Sequence, residues 1–158
     1  MGGGTGSITE LLAEAGHHVT YVDSSIEMTK LARLKCERFG QQIEYFTCFV
    51  ENLDMTLLNS NFDVVFGRHI LWATKDLTST LRTWHSILKE SGYLILVEGF
   101  WSTGAGITSD DLERAVKAEM GAADIFPLNS PLYWGKPIDD ERYLVHSRRS
   151  PFETLIET

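Results

Sequence analysis

Cysteine is scarce. Cys36 and Cys48 are the only two in the chain, with no CxxC pair and no His, Asp or Glu at ligand spacing. That excludes a disulfide framework and a tetrahedral zinc site, and makes a reducing compartment, the cytoplasm, the expectation. No apolar run approaches the roughly 20 residues of a membrane span. The N-terminus is glycine-rich rather than basic and then apolar, so no signal peptide is expected. Positive charge is in deficit: 14 Lys and Arg against 22 Asp and Glu leave a net charge of -8. Nucleic-acid backbones and anionic lipid surfaces need clustered Lys and Arg, so neither is the expected partner. A small-molecule ligand or another protein suits this charge better.

What is present is the balance of an ordinary globular protein, 43% hydrophobic and 23% charged over 158 residues. That length fits one domain, expected over 1–150, with a tail at 151–158. Helical and strand patterns alternate along it. Ser7 and Glu10 read as a capping box for a helix whose apolar face is Ile8, Leu11, Leu12 and Ala15, stopped by Gly16. His18–Asp23 reads as a strand. Ser24 and Glu27 read as a second capping box, opening a helix that runs to Gly40. Ile43–Phe49 and Phe62–Phe66 read as strands, the latter apolar enough for burial on both faces. Asp76 is placed to cap a helix carrying Leu77, Leu81, Trp84, Ile87 and Leu88, which Ser91-Gly92 ends before the strand Tyr93–Glu98. Thr108 or Ser109 caps one more helix, ending at Gly121. The segments 124–128 and 142–148 complete the pattern as an antiparallel hairpin, with Pro127 pushing the first toward a sheet edge. The expected class is α/β, a mostly parallel sheet with helices on both faces.

Gly2-Gly3-Gly4-Thr5-Gly6 stands directly before the first helix. Glycine alone lets a backbone approach a ligand closely and takes positive φ freely. The helix start behind it offers free N–H groups to an anion. Asp23 ends the next strand, where a carboxylate can accept both hydroxyls of a ribose. The spacing is Gly2-x-Gly4-x-Gly6, with Ser7 where a dinucleotide fingerprint needs glycine, and no GK[ST] ending marks a P-loop.

These features together resemble the class I S-adenosylmethionine-dependent methyltransferases, from Gly2 to about Arg149. The carriers are the GGGTG loop, VTYVDSSIEM, FDVVFGRHILW, LRTWHSILKESGYLILVEGFW and LYWGKPIDDERYLVHSRR. The chain looks most like the small-molecule branch of ubiquinone and menaquinone biosynthesis. The resemblance implies a Rossmann-like three-layer sandwich and S-adenosylmethionine as cofactor. It places Gly2, Gly4 and Gly6 by the methionine end, Asp23 on the ribose, and Ser24 and Met28 beside the adenine.

The chain departs from the family in two places. Aligning Glu51-Asn52-Leu53 puts Phe49 where the family has an acid for the adenine amino group, so adenine recognition is expected to be looser or made by Glu51 or the Val50 backbone. The family's central strand precedes the glycine loop, and here that position holds only Met1. Unpaired backbone in a sheet's centre costs about 1–3 kcal/mol per group. Three expectations follow: the strands ending at Asp23 and Phe66 close on each other, a second chain supplies a strand, or the sequence begins late. The glycine loop would lose its anchor, and the exposed strand edges predict a homodimer.

Methyl transfer from a sulfonium mainly requires an acceptor held in line and water excluded. His69 is the candidate base, or else a histidine that bonds a loop. Arg68 could orient an acidic acceptor or pair with a surface carboxylate. Trp72 and Trp101 could wall a pocket for a cation or a flat substrate, and Glu98 could reach the acceptor. Trp84 has core spacing. His17, His18, His85 and His146 read as structural or exposed, and Asp139-Asp140-Glu141 as a solvated turn. Gly67-Arg68-His69-Ile70 stands where a nucleic-acid amine methyltransferase carries Asn/Asp-Pro-Pro-Tyr. The rivals are a non-catalytic relative acting as a binding or dimerisation module, and a nicotinamide-dependent oxidoreductase, which Ser7 argues against.

Overall fold

The computed structural model describes residues 1–52 and 62–149, which fall into two compact units divided between those ranges. Leu53 and the expected tail 151–158 lie outside the described residues. The first unit contains α1 (Ser7–Glu14), β1 (Val19–Asp23), α2 (Ile26–Lys35) and β2 (Ile43–Thr47), followed by a 3-10 turn at Val50–Asn52. β1 and β2 are parallel, in register from Val19↔Ile43 to Asp23↔Thr47. A parallel pair requires a crossover, and α2 supplies it. Ala13, Tyr21, Ala32, Cys36 and Ile43 form the core.

Small side chains dominate this core because the backbone of Gly6 lies on α2. A Cβ added to Gly6 would stand 2.9 Å from the Ala32 Cβ, at a φ of +81° that already favours glycine. This corrects the expected start of α1. Gly6 is the cap and makes no side-chain cap bond, while Ser7 becomes the first helical residue, its Oγ accepting from Lys35 Nζ at 2.8 Å. The buried stripe is Thr9 and Ala13, and Leu11 is 60% exposed, because only small residues fit this close contact. The second cap also shifts by one. Ser25 Oγ, not Ser24, accepts from Met28 N–H at 3.2 Å and donates to the Glu27 carboxylate at 3.1 Å. α2 ends at Lys35 rather than at Gly40, which instead kinks the following 3-10 segment at φ 53°. Gly6→Ala is expected to cost about 1–3 kcal/mol through overpacking and left-handed strain. A thermal melt should register a drop of several degrees, and an unchanged midpoint would contradict the close approach.

The second unit contains β3 (Phe62–Arg68), α3 (Leu77–Ile87), β4 (Leu88–Phe100), α4 (Ser109–Met120), β5 (Asp124–Pro127), α5 (Pro131–Trp134) and β6 (Glu141–Arg148). Its sheet runs β3-β4-β6-β5, parallel between β3 and β4 and antiparallel elsewhere. Strand alternation puts Val65, Leu94, Leu96, Tyr143 and Val145 on one buried face. The apolar stripes of α3 and α4 (Leu81, Trp84, Leu112, Val116) are buried with them. Val64, on the other face, is 45% exposed, so β3 is not buried on both sides as its composition suggests. α3 ends at Ile87 and β4 begins at once with Leu88, which leaves Ser91-Gly92 inside a strand, Ser91 at φ 64°. Asp76 caps α3, its Oδ1 accepting from Ser79 N–H at 3.0 Å, and Thr108 caps α4. Pro127 does sit in an outer strand.

The fold is α/β with a mixed sheet. Among the described residues, β1 pairs with β2 in a two-stranded sheet and β3 stands at the end of a four-stranded one. Trp84 is fully buried over Gly67, where a Cβ would meet its ring at 3.4 Å. Its buried Nε1 has no partner among the described residues. Trp84→Ala should therefore cost about 3–5 kcal/mol, while Trp84→Phe, which removes that unpaired donor, should cost far less. Equal losses by chemical denaturation would contradict this.

Candidate functional site

The glycine loop is anchored to β1 by three hydrogen bonds and closed by a fourth within the loop, contrary to the expected loss of its anchor. Gly3 N–H donates to Val22 O at 3.0 Å and Gly6 N–H to Gly3 O at 3.0 Å. The Tyr21 hydroxyl donates to Gly4 O at 2.7 Å, and Gly4 N–H donates to Asp23 Oδ2 at 2.8 Å. Asp23 Oδ1 accepts in turn from Ser25 N–H at 2.9 Å. One half-buried carboxylate thus ties the loop to the start of α2. Gly2 and Gly4 take left-handed φ of 63° and 52°, and a Cβ at Gly4 would have nothing within 4 Å. Gly3 is closed off instead, because a Cβ there would strike the Tyr21 ring.

Ser24 is exposed beside Asp23, and Met28 sits in the first turn of α2. Val50 is buried and Glu51 half-buried in the 3-10 turn beyond β2. Cys48 N–H donates to Asp23 O at 3.0 Å, which keeps the end of β2 beside the end of β1. Phe49, the residue at the family's acid position, is 61% exposed. The first unit therefore gathers the glycine loop, Asp23, Ser24, Met28, Val50 and Glu51 around one strand pair.

The second unit gathers the other candidates. His69 follows β3, half-buried, with φ 54°, and its N–H donates to Val97 O at 2.9 Å. Its ring lies edge-on to Trp101 with centroids 5.4 Å apart, and Trp101 meets Trp72 in the same way at 5.6 Å. Trp72 Nε1–H donates to His69 O at 3.0 Å, while 48% of the residue stays exposed. Burial, with Arg68 and Arg142 nearby, holds the His69 pKa below its usual value, and Asp140 pulls weakly the other way. The imidazole is therefore neutral at pH 7, and its buried Nδ1 has no partner among the described residues. Arg68 is exposed at the end of β3. Glu98 is fully buried, Oε1 accepting from Ile70 N–H at 2.8 Å and Leu71 N–H at 2.9 Å.

Several residues carry structure that their patterns did not announce. Asp139-Asp140-Glu141 is not a plain solvated turn. Asp140 binds Arg142 through two 3.0 Å bonds, Arg142 lies 4.2 Å over the Trp134 ring, and Glu141 accepts from Ser109 N–H at 3.1 Å. His146 stacks on Tyr93 with ring centroids 5.2 Å apart. Period-two alternation puts Tyr21 on the same face of β1 as Asp23, but no local pattern announces its bond to Gly4 O. Among the described residues no group of three or more His, Cys, Asp or Glu is placed to hold a metal ion. No described helix is long and apolar enough to cross a membrane.

Comparison with known proteins agrees with this geometry. Over 96 residues the chain is 35% identical to the ubiquinone biosynthesis O-methyltransferase of Xanthomonas axonopodis pv. citri, covering 61% of this chain and 40% of that protein. The chain thus spans about 40% of that relative's length. The N-methyltransferase NodS of Bradyrhizobium japonicum WM9, solved with S-adenosyl-L-homocysteine, superposes with a TM-score of 0.72 at 16% identity, over 93% of this chain and 74% of that one. The [4+2]-cyclase SpnF gives a TM-score of 0.78 at 16% identity, over 94% and 73%. At such identities the structures establish the fold alone: a Rossmann-like methyltransferase fold. A cyclase among them shows that chemistry must be argued from the site. Residues 1–96, more than half of the chain, match the family model described as Methyltransferase domain, and the chain belongs to that family.

Proposed function

We propose that this chain binds S-adenosylmethionine through the glycine loop and Asp23 and serves methyl transfer to a small-molecule acceptor. The observation that carries the reading is the Asp23 carboxylate, fixed at the end of β1 by Gly4 N–H and Ser25 N–H. An adenosyl group fits these residues. Each Asp23 oxygen accepts one backbone bond and keeps a lone pair for a ribose hydroxyl. The space over Gly4 is open, and the exposed Phe49 ring offers a face to a flat base. Gly2, Gly4 and Gly6 would border the methionine end, with Ser24, Met28, Val50 and Glu51 toward the adenine.

When bound, the sulfonium supplies an activated methyl group. The chain's own part is to orient the acceptor, exclude water and take a proton. Neutral His69 would accept the proton of an acceptor hydroxyl or amine. Trp72 and Trp101 would wall the acceptor, and Arg68 would orient an acidic one. Two relatives support this reading: the ubiquinone biosynthesis O-methyltransferase, and the N-methyltransferase NodS, solved with S-adenosyl-L-homocysteine. Isothermal calorimetry with S-adenosylmethionine and S-adenosylhomocysteine tests it. Saturable heat at one site is expected, and no heat at millimolar ligand would leave the binding-module reading instead.

The same reading takes the protein as a homodimer in a reducing compartment, binding neither nucleic acid nor membrane. Supporting it are the free thiols of Cys36 and Cys48, the net charge of -8, and a second sheet whose outer strands are β3 and β5. Light scattering should give twice the 17.8 kDa chain mass, and a single monomer peak would contradict the dimer.

A further inference from the structure

The segment after β3 carries both His69 and Trp72, and its backbone departs from ordinary geometry. His69 holds a left-handed φ of 54°, a conformation uncommon for a residue with a side chain. Three N–H groups in a row are fixed there: His69 to Val97 O at 2.9 Å, then Ile70 and Leu71 both to Glu98 Oε1 at 2.8 and 2.9 Å. Among the described residues of this unit, Glu98 is the only charged-type side chain that is fully buried, at 0% exposure, and its Oε2 has no partner there. An isolated carboxyl in such a place is costly, so the fold pays for one oxygen that no apolar side chain could supply.

We infer that Glu98 is a positioning residue: by gathering the Ile70 and Leu71 N–H groups on one oxygen, it sets the backbone that presents His69 and Trp72. It acts through the loop and does not itself meet the acceptor. The loop's outward face follows from that grip. Trp72 bonds back to His69 O at 3.0 Å, and the His69 and Trp72 rings both pack edge-on against Trp101. The charged groups that face His69 are Arg68 on β3, Arg142 on β6 and Asp140, which is paired with Arg142. The inference rests on reading this loop as the acceptor-handling segment, but its test needs neither cofactor nor acceptor.

Protonated imidazole quenches a neighbouring indole, so tryptophan fluorescence against pH, with His69→Asn subtracted, reports the His69 titration. Two variants separate the oxygen's position from the carboxyl group. Glu98→Gln keeps the accepting oxygen and replaces the carboxyl by an amide, and is expected to leave the midpoint where the native protein has it. Glu98→Asp keeps the carboxyl and withdraws the oxygen by one methylene. It is expected to raise the midpoint toward the ordinary histidine value of 6.5 and to shrink the quench. The reverse pattern, or no movement in either variant, would overturn the inference. Should the Asp variant not fold by circular dichroism, amide exchange in Glu98→Gln decides: Ile70 and Leu71 protection within tenfold of native is expected, and its loss overturns the inference. Failure to bind S-adenosylmethionine would sink the proposed function and leave these readouts intact.

Discussion

Asp23→Ala is expected to weaken S-adenosylmethionine binding by at least about a hundredfold. Hydrogen bonds to a charged group contribute about 1.5–3 kcal/mol each, and every 1.4 kcal/mol is tenfold in affinity. The substitution removes the two ribose acceptors and also releases Gly4 N–H and Ser25 N–H. The loop should stay near its place, because Tyr21 still holds Gly4 O and Val22 O still holds Gly3 N–H. The loss should therefore appear in binding more than in the melting temperature. Asp23→Asn keeps one accepting oxygen and should fall between. Calorimetry on the three proteins is the check, and an alanine variant within threefold of native would remove Asp23 from the cofactor site.

His69→Asn should lower kcat by about 10² to 10⁴-fold with little change in KM, the usual contribution of a general base. Burial, Arg68 and Arg142 hold the native His69 below 6.5, so the active neutral form persists into mildly acid solution. The rate should be full above pH 6.5 and fall only as pH drops through the lowered value. The stability contribution runs the same way: the unfolded chain binds the proton more readily, so stability falls as pH drops below 6.5. A kcat profile whose acid limb sits at or above 6.5, or a variant within threefold of native, would assign His69 to loop structure alone.

The alternation of helix and strand was legible because each element carries its own period and its own stop. Asp76, Thr108 and Gly121 cap α3 and α4 through local chemistry that needs no tertiary partner. The errors fall where packing outweighs local preference. Ser7 reads as a cap, but Gly6 must lie on Ala32 at positive φ and takes that position. Leu11 has helical spacing, yet the close contact admits only Thr9 and Ala13. The glycine loop and Asp23 were visible as residue types at a meaningful spacing. The Tyr21 bond that anchors the loop spans 17 residues and was not. Likewise Arg142 approaches His69 only through the antiparallel register of β4 and β6, which pairs it with Gly99. Asp140-Glu141 looked like solvent-facing charge, but Asp140 pairs with Arg142 two residues on, and Glu141 accepts from Ser109 N–H, 32 residues away, a contact that no local pattern announces.

Diffraction from crystals grown with S-adenosylhomocysteine asks the decisive question in one experiment. The expected result is ribose density with both hydroxyls within hydrogen-bond distance of the Asp23 carboxylate and the amino-acid end over Gly4. Ordered ligand bound away from β1, or none at saturating concentration, would contradict the assignment of this strand end and its glycine loop to the cofactor.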